Sequence, residues 1–156
     1  MTDLVGESRN RAGRKASGVS GVATVEMALM LPFLLLTVIG IIDVSRAAFV
    51  GMAVANAASA GALYGAQGPG YAVDTSAVLA AATADAQVSG MTISSSTYCE
   101  CSDGSTSTCL ADDCGGSRRM DYIQVDTSAD WVPIFNYPGI PGTVTLNGRA
   151  TVQIAE

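Results

Sequence analysis

The most apolar part of the chain lies close to its N-terminus. From Met27 to Ile42 the sequence carries no charged residue and reads MALMLPFLLLTVIGII. Extended back to Val22, this run contains a single charge, at Glu26. A helix needs about 20 apolar residues to cross a hydrocarbon core of about 30 Å, and a lone span must be helical because lipid offers no partner to backbone groups. The pattern therefore predicts a transmembrane helix over residues 22–42.

The helical pattern continues past this span to about Ala66, through a stretch rich in alanine, the best helix former. Gly68-Pro69-Gly70 then predicts a stop. Such a helix would have about 45 residues and a length of about 67 Å, so its second half would project beyond the bilayer. Its small-residue face, with Ala53, Ala57 and Gly61, would accept a neighbouring helix at close range, pack on the chain's own C-terminal domain, or do both along different stretches.

Residues 67–156 change to a pattern typical of strands. Asp74-Thr75-Ser76 predicts the N-cap of a short helix that ends near Gly90. Three later segments are predicted strands: Met91–Tyr98, Tyr122–Ser128 and Thr143–Ile154. The last is either one long strand or a hairpin that turns at Asn147-Gly148, and Trp131–Gly142 is an aromatic, proline-rich connection. We expect a small three- or four-stranded antiparallel sheet packed on the outer half of the long helix, which is a pilin-like α+β fold.

Charge is distributed unevenly about the predicted span. Residues 1–21 carry four basic and two acidic side chains, whereas residues 22–156 carry four basic and twelve acidic ones. Positive charge flanking a span stays in the cytoplasm, so residues 1–21 are predicted to be a cytoplasmic leader and residues 67–156 an extracytoplasmic head. A secretory signal peptide is the alternative, but the apolar run is long for one and contains Glu26. The acidic balance and the absence of a basic stripe argue against nucleic-acid binding.

Four cysteines lie in a polar loop over residues 99–114: Cys99, Cys101, Cys109 and Cys114. An even number in an oxidising compartment predicts two disulfides. We expect Cys99 and Cys101 to point to opposite faces of an extended segment and to pair poorly with each other. Each would then bridge to Cys109 or Cys114, in either order. The spacing lacks the paired CxxC of zinc sites and the chain has no histidine, so no metal or cofactor is expected.

The segment Ser20–Leu29 contains the residues of most chemical interest. A carboxylate inside an apolar run is costly without a partner, which makes Glu26 a functional candidate. If the chain were cut after Gly21, Val22 would carry a free α-amine and Glu26 would be the fifth residue of the new chain. Glu26 could then pair with the amine of a neighbouring helix and set their axial register, because a mismatched pair leaves buried charge. The alternative is that the Glu26 carboxylate simply reaches the lipid headgroups.

These residues resemble the TadE-like proteins, which are minor pilins or pseudopilins of the tight-adherence (Tad/Flp) pilus assembly system. The resemblance covers residues 21–66, and the residues that carry it are Gly21, Glu26, Pro32, Gly40–Arg46 and Asn56-Ala57-Ala58. The cysteine-rich loop and the final Thr/Val-rich strand are also similar to those of family members.

The resemblance implies that a prepilin peptidase cleaves between Gly21 and Val22, and that Glu26 acts in assembly. It also implies partners at the bacterial inner membrane: a sister pseudopilin, the major Flp pilin and the pilus assembly platform, with membrane lipid around the span. The expected function is structural, in the assembly of a type IV-like pilus for adhesion or secretion.

The sequence offers two alternative function classes. The chain could be an uncleaved, single-pass membrane-anchored binding module of the cell envelope, whose Trp131–Pro141 segment docks a partner. Enzymatic activity is disfavoured, since the sequence has no histidine, no glycine-rich phosphate loop and no nucleophile elbow.

Overall fold

A computed structural model describes residues 19–110, 114–136 and 138–155 of the chain. Most of the predicted leader, residues 1–18, therefore lies outside the described residues. The chain divides into two compact units between Gly40 and Ile41.

The first element is a long helix, α1, which spans Val19–Gly65 and contains Pro32. It confirms the helix predicted from Val22 to about Ala66. Among the described residues, one helix is long and apolar enough to cross a membrane, and it is this one, over Gly21–Gly65. Every side chain from residue 21 to residue 38 is exposed. An apolar surface of this kind is suited to lipid or to neighbouring helices, since water would solvate it poorly.

Two short helices follow: α2 over Pro69–Val73 and α3 over Thr75–Asp85. The predicted cap is confirmed, because Asp74 Oδ1 accepts hydrogen bonds from Ala77 N at 3.1 Å and from Ser76 Oγ at 2.6 Å. These bonds hold the pKa of Asp74 below its ordinary value, the Ser76 bond having the larger effect. Helix α3 ends at Asp85, earlier than predicted. Helix α2 was not predicted: Pro69 follows the end of α1 but also starts a new helix, because its fixed φ suits the first helical position.

A four-stranded antiparallel sheet confirms the predicted α+β class. Its strands are β1 (Thr92–Cys101), β2 (Thr106–Ser107), β3 (Arg119–Trp131) and β4 (Val144–Gln153), in the spatial order β2-β1-β3-β4. Of the two alternatives for the last segment, the structure has the single strand. Asn147 and Gly148 do not turn but pair with Ser128 and Thr127 of β3.

The C-terminal half of α1 packs with α3 against one face of this sheet. The core contains small and branched side chains: Ala62, Ala72, Val78, Ile123, Val125 and Ile154. The small-residue face of α1 is part of this packing, since Ala53, Ala57 and Gly61 are all buried within the head. A methyl group added at Gly61 would lie 3.0 Å from Ala82 Cβ of α3. Of the two roles considered for this face, packing on the chain's own domain is the one observed.

Hydrogen bonds between residues far apart in sequence join α1, and the residue that follows it, to the sheet and to the C-terminal residues. The buried Thr127 hydroxyl of β3 donates to Val54 O of α1 at 2.7 Å. Near the C-terminus, Ala155 N donates to Ala66 O at 2.8 Å, just beyond the end of α1. Gly148 lies beside the first of these bonds, and a Cβ there would come within 2.5 Å of Val54 O. The close approach of strand β4 to the helix backbone therefore requires glycine at position 148.

Candidate assembly and anchoring site

The residues predicted for processing and register lie at the start of α1. Gly21 and Val22 are in its first turn, and Glu26 follows Val22 by four residues, so one helical turn separates them. All three are exposed, and a Cβ added at Gly21 would meet no atom within 4 Å. None of the described residues therefore covers the Gly21–Val22 bond. Cleavage at that bond and a register role for Glu26 stay predictions.

The helix surface that follows is apolar on all sides up to the end of the charge-free run. Large exposed side chains include Met27, Leu29, Met30, Leu31, Phe33, Leu34, Leu35, Leu36 and Val38. Glu26 is the one charged residue between Gly21 and Ile42. Its carboxylate is thus the single charged group on an exposed and mostly apolar helix surface.

An anchoring contact at Asp43 was missed by the sequence analysis. Asp43 follows directly after the charge-free run, and only 2% of it is exposed. Both of its carboxylate oxygens accept a hydrogen bond from the backbone N–H of Ile134, each at 3.1 Å. The Arg46 guanidinium, about half exposed, lies 3.2 Å from Oδ1 on the next turn of the helix. This arrangement ties the segment after β3 to α1 across 91 positions of sequence.

The sequence contains a signal that could have found this contact. An aspartate at the end of an apolar run, with an arginine three residues later on the same helix face, indicates a charge that must be compensated locally. The Asp43–Arg46 pair falls within the Gly40–Arg46 stretch that carries the family resemblance. Its partner Ile134 could not be identified from the sequence, because a backbone N–H has no side-chain signature.

An open groove of about 490 Å³ lies beside this contact. Its lining comes from α1, from the segment after α3 and from the end of β3: Ser45, Arg46, Phe49, Val50, Gln87, Val88, Ser89 and Trp131. Trp131 is almost fully buried, and its indole Nε1 has no hydrogen-bond partner among the described residues. Arg46 is the one charged residue in the lining, and the lining contains neither a carboxylate nor a thiol. The lining thus offers one cation and no acid–base pair.

The predicted disulfides join Cys99 to Cys109 and Cys101 to Cys114. We expected Cys99 and Cys101 on opposite faces of the strand, and this is wrong: residues two apart in a strand share a face, and both are buried. They do not pair because their side chains run parallel from one strand, which leaves the Cβ atoms about 6.6 Å apart, whereas a disulfide needs about 3.5–4.5 Å between them. The Cα atoms of the observed pairs lie 5.3 Å and 5.5 Å apart.

Strand pairing explains why Cys99 takes Cys109 as its partner, which leaves Cys101 to bridge to Cys114. Cys99 of β1 lies opposite Ser107 of β2, two residues before Cys109. Arg119, which lies opposite Cys101, fixes the loop further: its Nη1 donates to Cys109 O at 3.0 Å while its Nε donates to Asp121 at 2.8 Å. Across the described part of the chain, no group of three or more acidic or cysteine side chains has an arrangement that could hold a metal ion. The two disulfides hold this loop to strand β1 of the sheet.

One comparison with known proteins identifies the N-terminal region. Residues 21–63 match the model of the TadE-like protein family, which confirms the resemblance stated from the sequence. The match lies within α1 and includes Glu26, Asp43 and Arg46, but none of the strands. Neither a curated protein nor a solved structure matches the chain.

Proposed function

Since residues 21–63 form a TadE-like segment, we propose that this chain is a minor pilin or pseudopilin that takes part in assembling a Tad/Flp type IV-like pilus. The observation that carries the proposal is the coincidence of the family match with the apolar, exposed part of α1. A family match of this kind supports an association with Tad pilus components in general, and the exposed helix supports a packing role in particular.

The proposed organisation has three parts. Residues 1–21 are a basic leader on the cytoplasmic side, and residues 22–42 are the transmembrane helix within the TadE-like region 21–66. Residues 67–156 are an extracytoplasmic head. Two disulfides in the head support this topology, because disulfides persist in oxidising compartments outside the cytoplasm.

In the proposed mechanism a prepilin peptidase removes the leader between Gly21 and Val22. The new amine of Val22 and the carboxylate of Glu26 are then the two charges at the lower end of an apolar helix. Pairing between helices of neighbouring subunits satisfies both charges only at the correct axial offset. Partners would be a sister pseudopilin, the major Flp pilin and the inner-membrane assembly platform, and lipid would surround the helix before assembly.

Determination of the N-terminus of the membrane-extracted protein tests the proposal. Processing predicts a chain that starts at Val22, with a mass lower by that of residues 1–21. A Gly21→Leu variant should retain the leader, because a bulky side chain at the cut site would not suit the peptidase, and a Gly51→Ala variant is the matched control elsewhere in α1. An intact leader in the wild-type protein would contradict processing.

A second experiment tests Glu26 itself. Glu26→Gln keeps the size of the side chain and removes its charge, so membrane insertion should be unchanged while co-purification with pilus components and pilus number fall. Glu26→Asp keeps the charge, so co-purification with pilus components and pilus number should be retained in part. Normal piliation in Glu26→Gln would show that the carboxylate does not set register.

The second candidate function is the uncleaved membrane-anchored binding module. The exposed apolar side chains of Val132, Ile134 and Phe135 favour it. An intact leader together with normal export of the head would support this candidate over the first.

A further inference from the structure

The segment that follows β3 exposes three large apolar side chains within four residues. Val132 is 54% exposed, Ile134 is 55% exposed and Phe135 is 51% exposed. Together these three side chains are called the loop surface below. Large apolar side chains grouped on a surface mark a site of interaction with another molecule or with a membrane.

The position of the loop surface along α1 is fixed by the contact at Asp43. The backbone N–H of Ile134 donates to the Asp43 carboxylate, and Asp43 is the first residue after the charge-free run that ends at Ile42. One residue of helix rises about 1.5 Å. Around the same point, the side chains of Ile41, Ile42 and Val44 are exposed on the helix itself. The loop surface thus lies at the level where the predicted span ends.

The chemistry of the segment fits a lipid surface better than water. Residues 131–142, WVPIFNYPGIPG, include no charged side chain. Three of them are prolines, which have no backbone N–H to leave unpaired in a medium without water. The nearby Asp43 charge is covered by the Ile134 N–H and by Arg46. The half-exposed Arg46 guanidinium is a cation at the level expected for lipid phosphates.

We propose that the loop surface is inserted into the headgroup and upper acyl region of the membrane leaflet on the side of the head. The head is then held to the bilayer at two places, by α1 and by this segment, and the Asp43–Ile134 bond sets the height of the second relative to the first. The proposal uses only the transmembrane part of the proposed function and is independent of any role in a pilus. A neighbouring protein subunit is the other occupant to be considered, and the experiment separates the two.

Tryptophan quenching by brominated lipid measures the depth of the loop surface. The chain has a single tryptophan, Trp131, and Trp131→Phe gives a background in which new tryptophans can be placed. That replacement removes no hydrogen bond to a described residue, since the indole Nε1 has none. The full chain is reconstituted in vesicles of phosphatidylethanolamine and phosphatidylglycerol with bromine on the upper acyl chain. Three variants are compared: Phe135→Trp, Phe33→Trp and Val73→Trp.

The three positions report on different questions. Phe33 lies in the predicted span, and its tryptophan should be quenched if α1 is inserted at all. Val73 is 80% exposed and lies beyond the C-terminal end of α1. The helix rises about 33 Å between Asp43 and Gly65, so a tryptophan at Val73 should keep nearly all of its emission. The proposal expects Phe135→Trp to lose at least half of its emission and to shift to shorter wavelength.

The outcomes are distinct. Quenching at Phe33 without quenching at Phe135 would overturn the loop proposal and leave the span intact, whereas no quenching at Phe33 would overturn the span itself. Equal quenching at Phe135 and Val73 would show that the whole head lies on lipid and would also overturn the proposal. A Phe135→Trp emission that responds to a pilus subunit and not to brominated lipid would assign the surface to protein. If Trp131→Phe impairs folding, the three tryptophans are introduced with Trp131 retained. Only the quenching beyond that of Trp131 itself is then compared.

Discussion

Replacing Asp43 with alanine removes the acceptor that ties the segment after β3 to α1. The carboxylate accepts the Ile134 N–H through both oxygens at 3.1 Å and lies 3.2 Å from Arg46. A hydrogen bond to a charged group contributes about 1.5–3 kcal/mol. The ion pair adds little, about 0.5 kcal/mol, because the Arg46 side chain is half exposed. The variant also loses the desolvation cost of burying a carboxylate, which offsets part of the damage.

We therefore expect Asp43→Ala to lower the free energy of unfolding by about 2 kcal/mol. The compact unit Ile41–Glu156 has 116 residues, so its entropy of unfolding is about 0.24 kcal/mol per degree and Tm should fall by about 8 °C. The measurement is thermal unfolding of the full chain in detergent micelles, followed by the fluorescence of Trp131. This single tryptophan lies at the end of β3, three residues before Ile134, and reports on the segment that would be released.

Two matched variants separate the backbone bond from the ion pair. Asp43→Asn keeps one oxygen for the Ile134 N–H and should cost about 1 kcal/mol, while Arg46→Ala removes only the half-exposed partner and should cost about 0.5 kcal/mol. If Asp43→Ala were no more damaging than Arg46→Ala, the Ile134 bond would contribute nothing measurable. The Asp43–Ile134 bond would then not set the position of the loop surface.

Other predictions concern the packing of α1 and the pairing of β3 with β4. Gly148→Ala should destabilise the head by about 1–3 kcal/mol, because its Cβ would meet Val54 O of the helix backbone. Gly51→Ala has open space around its Cβ and should stabilise α1 by about 0.5–1 kcal/mol. Equal melting temperatures for the two variants would contradict this prediction. The Arg149 and Gln124 side chains hold the pKa of Asp126 below its ordinary value of 3.8. Its contribution to stability should therefore be present above that pH and be lost as the pH falls through the depressed pKa. The free energies of unfolding of the wild type and Asp126→Asn, measured by chemical denaturation, should differ by under about 1 kcal/mol at pH 7, since the pair is exposed. A difference that persists at pH 2 would show that the ionised Asp126 carboxylate is not its cause.

The local sequence pattern predicted those elements whose formation depends on residues close together in the chain. The charge-free run and the alanine-rich stretch predicted α1 to within three residues at its start, because helix formation depends on neighbours three and four positions apart. The cap at Asp74 was found for the same reason, since the aspartate and the N–H of Ala77 that it binds lie within one turn. The strands over residues 92–101 and 144–153 were found from β-propensity and alternation.

Contacts between distant segments were decided only by the tertiary structure. The choice of Cys109 for Cys99 follows from the pairing of β1 with β2, and a two-residue strand is too short to leave an alternating pattern. The continuity of β4 through Asn147-Gly148 follows from its pairing along the whole of β3, which outweighs the local turn preference of that dipeptide. Likewise, the bond between Asp43 and Ile134 joins a helix to a backbone amide 91 positions away. The sequence near Asp43 indicates a buried charge that needs a partner, but it does not identify Ile134, because packing of the segment after β3 on the helix brings the two together.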